Sequence, residues 1–194
     1  MQDWQAIESL RWVGLLSLAA ILVSGIMPVL TTANNPSQSV SQTWASNRQS
    51  HLAISIMLTV FGAGFCASIV GWLIPTYHLW VGMYLVTLAG YVALLGVAWF
   101  PMADSPGEHS LRHPHFIGGA AAACGAIVGY ASVLLAGGGI PRLGYYVTVV
   151  ALIYSALWPS FFLRRVRKYF MVLEGILVVL FVAVAIALML GPAD

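Results

Sequence analysis

Six apolar stretches, at residues 12–30, 52–74, 79–100, 116–136, 143–163 and 169–190, dominate the chain. Each is close to or above the roughly 18 to 20 residues that a helix needs to cross the hydrocarbon core of a bilayer. That medium offers the backbone no water, so its N–H and C=O groups must be satisfied within the segment, which a helix does with its own ladder. The pattern predicts an all-α polytopic membrane protein, a single domain over residues 1–194 built as a six-transmembrane-helix bundle. Composition agrees: 60% of the residues are hydrophobic and 7% are charged, mean hydropathy is +0.90, and soluble domains carry about a quarter charged residues.

The polar residues exclude other classes. Asp3, Glu8 and a single Arg11 flank the first stretch where a cleaved secretory signal would carry a basic run, so it reads as a span. A formal charge of +2, without a basic and aromatic face for bases, excludes nucleic acid as a partner. Cys66 and Cys124 lie inside apolar stretches with neither CxxC nor zinc spacing and read as small buried packing residues.

Residues 75–78 and 137–142 read as tight turns in which proline and glycine stop helices, which makes successive helices antiparallel neighbours. With six spans, the first, third and fifth loops share one face, and both termini share the other with the second and fourth loops. The first face holds Arg48, Arg112, Arg164, Arg165, Arg167 and Lys168, while the second holds Arg11 and Arg142. Basic residues favour the cytoplasmic side, so both termini are expected to be non-cytoplasmic. The fourth stretch is rich in Gly and Ala, and Gly125 and Gly129 have the small-xxx-small spacing of close helix packing. This predicts a thin, central helix, or a face for a homo-oligomer or a membrane protein partner. Gly62, Gly64, Ser68 and Gly71 offer similar small surfaces on the second helix.

Chemistry concentrates between the third and fourth stretches, where residues 101–115 hold three of the five histidines and two of the six acids. A divalent metal such as zinc takes three or four nitrogen, sulfur or oxygen ligands, which His51, Asp104, His109, His113 and His115 could supply. Glu108 and Glu174 are the candidate catalytic proton carriers for a metal-activated water. Glu174 lies in an apolar setting and is expected to have a cationic or histidine partner. Arg112, Arg164, Arg165, Arg167 and Lys168 could hold the phosphate of a lipid headgroup or simply anchor the topology. The opposing account of the histidines is a solvated interfacial loop with capping imidazoles, and a bis-histidine haem using His51 with His113 or His115 is a further one. There is no GxSxG, HExxH or phosphate-loop motif.

Gly96-Val97-Ala98-Trp99-Phe100-Pro101, followed by Asp104 and by His113 and His115 at the next helix start, resembles the signature of a prokaryotic six-helix membrane family catalogued as domain of unknown function nine-nine-eight. The polar first loop and Leu173-Glu174 are similar to that family too. The resemblance implies a six-helix bundle in the prokaryotic plasma membrane and brings no established activity. The leading expectation is an interfacial His/Asp/Glu site that binds a lipid headgroup and hydrolyses it with a metal. The others are a non-enzymatic accessory or packing subunit of a membrane complex, and a haem-binding protein or proton-coupled carrier.

Overall fold

The computed structural model describes residues 6–32, 48–100, 114–136, 139–163 and 170–191, and all of its regular elements among them are helical. They are α1 (Glu8–Thr32), α2 (Arg48–Ser68, continued by a π-helical turn Ile69–Leu73 and a last turn Ile74–Thr76), α3 (Met83–Trp99), α4 (Pro114–Ala136), α5 (Arg142–Leu163) and α6 (Phe170–Met189). Three segments are long and apolar enough to cross a membrane: His51–Thr76, Ile117–Ala136 and Val172–Met189. Met83–Trp99 and Arg142–Leu157 are shorter apolar helices.

Each helix packs against its neighbours in sequence, and α6 returns to α1. The ends meet accordingly. At one end Ile7 N donates to Gly71 O at 2.9 Å and Arg11 Nη2 donates to Leu190 O at 2.6 Å, joining the start of α1, the end of α2 and the end of α6. At the other end, side chains from α2 and α4 reach the end of α3. This is the end-to-end pairing expected of antiparallel neighbours.

The main core gathers Leu18, Phe65, Leu73, Met83, Tyr130, Val182 and Leu188 with their neighbours, and Phe65 meets Phe181 edge to face at 5.5 Å between centroids. Large apolar side chains also point outward on every helix, Leu16, Leu85 and Leu135 among the most exposed. So much apolar surface is far beyond what a soluble monomer shows and suits hydrocarbon.

The structure departs from the sequence reading in four places. Pro75 does not stop α2, which runs on to Thr76. The proline has no N–H for Gly71 O and its ring crowds that carbonyl, so the ladder widens: Ile74 N bonds Ile69 O, five residues back, and Gly71 O turns to Ile7 N. Consequently α3 starts at Met83 instead of residue 79, after a turn in which His78 takes a positive φ of 49°. The closest approach of α4 is at Gly118, not at Gly125 or Gly129. A Cβ on Gly118 would lie 2.6 Å from Ala93 O, whereas Gly125 and Gly129 have nothing nearer than 3.9 and 3.7 Å. Finally, α4 is the least covered of the three long apolar segments, so it is not central, and its Cys124 is exposed instead of buried. The small surface of α2 is used as expected: Gly64 faces Ser17, Gly71 faces Leu10, and Gly14 of α1 closes on Ser68.

Candidate functional site

The last carbonyls of a helix have no partner within it, and at the end of α3 they are met from two sides. From α2, His51 Nε2 lies 2.9 Å from Ala98 O, and Ser55 Oγ donates to the same oxygen at 2.6 Å. From the first turn of α4, His115 Nδ1 lies 3.2 Å from Val97 O and 3.1 Å from Phe100 O. A carbonyl only accepts, so each of these ring nitrogens carries a proton, which sets the tautomer of a neutral imidazole: Nε2–H for His51 and Nδ1–H for His115. His115 and Ser55 are buried and His51 is half-buried. Local sequence explains the arrangement. His51 and Ser55 are one helical turn apart and so share a face, while Pro114 opens α4 at a position that needs no N–H and sets His115 against the neighbouring helix end.

A short polar chain stiffens this end. Trp99 Nε1 donates to Thr59 Oγ1 at 2.9 Å, Thr59 Oγ1 donates to Ser55 O at 2.7 Å, and Tyr91 Oη donates to Thr59 O at 2.7 Å. Trp99 is thus a strut between α3 and α2.

Of the residues predicted to form the site, His51 and His115 are therefore brought together on one helix end, as caps. Glu174 lies half-buried in α6, next to Leu173, whose carbonyl accepts from Tyr154 Oη of α5 at 2.8 Å. It is not without an interaction of its own. Asp104, Glu108, His109, Arg112, His113, Arg164, Arg165, Arg167 and Lys168 lie outside the described residues. Among the described residues no three His, Cys, Asp or Glu side chains are grouped as a metal would need. Imidazoles that give one N–H to a backbone carbonyl nevertheless have the orientation of metal-bound histidines, whose second nitrogen is the ligand.

Two shallow open depressions lie on the second- and fourth-loop side. One is lined by His78, Trp80, Ser132, Leu135 and Ala136, the other by Gly139, Ile140, Arg142, Tyr145 and Tyr146.

Sequence reasoning missed Arg11 as anything but a topological charge. It caps the end of α6 through Leu190 O, and its Cζ lies 5.4 Å from the Trp12 ring centroid and 5.7 Å from that of Trp72. Beside it Tyr77 Oη donates to Leu188 O at 2.6 Å. Burial pushes the Tyr77 phenol up to about 12, with the Arg11 charge opposing the rise. The available signal was a single arginine at the entry to an apolar helix, where a cation needs a reason.

No family model, curated protein or solved structure matches this chain.

Proposed function

We propose that the chain is a six-span protein of the prokaryotic plasma membrane, with both termini non-cytoplasmic, that binds an anionic lipid headgroup on its cytoplasmic polar face. The observation that carries this reading is the convergence of His51 and His115 on the end of α3. Those bonds hold the starts of α2 and α4 against the end of α3, and the sequence that joins α3 to α4 carries Asp104, Glu108, His109, Arg112 and His113. Arg112, with Arg164, Arg165, Arg167 and Lys168 from the fifth loop, supplies the cations that draw acidic lipid. The imidazoles give their N–H groups to backbone, so their part is to position the polar segment.

Native mass spectrometry of detergent-purified protein tests the reading. Wild type is expected to retain phosphatidylglycerol in preference to phosphatidylcholine. Replacing Arg164, Arg165, Arg167 and Lys168 together with alanine should reduce that retention severalfold, and unchanged retention in this variant removes the cytoplasmic face as the binding surface.

Metal-dependent hydrolysis is a second reading, favoured by the one-nitrogen-to-carbonyl geometry of His51. Elemental analysis decides it: near-stoichiometric zinc that is lost on His51→Ala supports a metal centre, and zinc-free wild type after purification in zinc-supplemented buffer sinks it.

A further inference from the structure

At the opposite end of the bundle, where α1 begins and α2 and α6 end, buried hydrogen-bond donors collect around a cation. Arg11 Nε, Trp72 Nε1 and Thr76 Oγ1 are all inaccessible to solvent and have no hydrogen-bond acceptor among the described residues. They are neighbours: the guanidinium lies over the Trp72 ring at 5.7 Å, and Thr76 follows Trp72 by one helical turn. Leaving one buried donor unpaired is costly and leaving three together is rare, so such a group calls for an explanation.

The local fold makes the feature specific. Trp72 sits in the π-helical turn that Pro75 imposes, and such turns are uncommon and recur at functional sites. A regular α-helical ladder would rotate Trp72 relative to Arg11. Nearby carbonyls accept from other donors, Gly71 O from Ile7 N, Leu190 O from Arg11 Nη2 and Leu188 O from Tyr77 Oη, and none of them is bonded by Arg11 Nε, Trp72 Nε1 or Thr76 Oγ1. What remains is a fixed positive charge and a set of donors that meet no acceptor among the described residues.

We propose that Arg11, Trp72 and Thr76 form an anion site, separate from the histidine-capped end, that takes a phosphate-type oxyanion. An oxyanion presents several acceptor oxygens to N–H and O–H donors and is matched by a guanidinium in both charge and shape. At the end of a membrane-crossing bundle that oxyanion comes either from a lipid phosphodiester or from free phosphate.

The test uses the full chain in a neutral detergent, comparing wild type with Thr76→Val, which removes the hydroxyl at nearly constant shape, and Trp72→Phe, which removes the N–H. Arg11→Gln is a weaker probe because Arg11 also caps α6. Thermal unfolding is followed with added phosphatidylglycerol, with phosphatidylcholine and with inorganic phosphate. Phospholipid is expected to raise the midpoint of wild type by several degrees, with the rise at least halved in Thr76→Val and Trp72→Phe, and with a smaller rise that still depends on Thr76 and Trp72 in the variant lacking Arg164, Arg165, Arg167 and Lys168. A rise with inorganic phosphate alone, equally sensitive to Thr76→Val, assigns the site to the free ion. Equal responses in wild type, Thr76→Val and Trp72→Phe overturn the proposal. A response lost only in the variant lacking the basic loop residues also overturns it and leaves the cytoplasmic site as the one that binds.

Discussion

Single side chains do their work here on backbone carbonyls. The end of α3 is held by His51, Ser55 and His115, and the end of α6 by Arg11 and Tyr77. In both cases the donors come from outside the helix they cap, so one bond satisfies a helix end and ties it to a neighbouring part of the fold. Tyr77→Phe isolates one such bond. Removing the donor to Leu188 O is expected to cost about 1 kcal/mol in denaturant unfolding at neutral pH. The alkaline limb has a definite sign. The folded-state phenol titrates near 12, above its ordinary 10.0, so its contribution is complete below pH 10 and is lost as pH rises through 12. Wild type and Tyr77→Phe should therefore converge in stability across that window, and a constant gap would show that the phenol does not titrate as its burial requires.

At the scale of elements, close packing is local and one-sided. On α4, Gly118 presses on the backbone of α3, and Gly119 beside it has nothing within 4 Å of its would-be Cβ. Gly118→Ala must force α3 and α4 apart, because the atoms in the way are Ala93 O and Val97 N and neither can swing aside. A loss of about 1–3 kcal/mol is expected. Gly119→Ala should stay within about 0.5 kcal/mol of wild type. Unfolding of the two variants in mixed micelles reads this contrast directly, and equal losses would mean that helix propensity, not approach distance, governs the pair.

For the whole molecule, the paired ends put the start of α1, the turn after α2 and the end of α6 together, and the starts of α2 and α4 with the end of α3. Orientation across the membrane then rests on the six-to-two division of Lys and Arg. With Cys66 and Cys124 replaced, Gly138→Cys on intact cells should react with an impermeant maleimide, and Ser105→Cys should react only after permeabilisation. The opposite result inverts the orientation, and equal labelling of both positions is incompatible with alternating spans.

The helices among the described residues were readable because they follow from a local rule: an apolar run of bilayer length satisfies its backbone within itself, whatever its neighbours are. The six long helices among the described residues lie within a few residues of their expected positions, and the late start of α3 follows from His78 and the turn before Met83. Facing was not readable. These helices are apolar nearly all round, so their pattern carries little information about which side meets another helix. The meeting of Arg11 with Leu190, of His51 with Ala98, and the transfer of Gly71 O from its own ladder to Ile7 join residues far apart in the chain. The residues of the capped end were named from their chemistry, but whether imidazole meets carbonyl or metal depends on where three helix ends come to rest, and only the tertiary structure decides that.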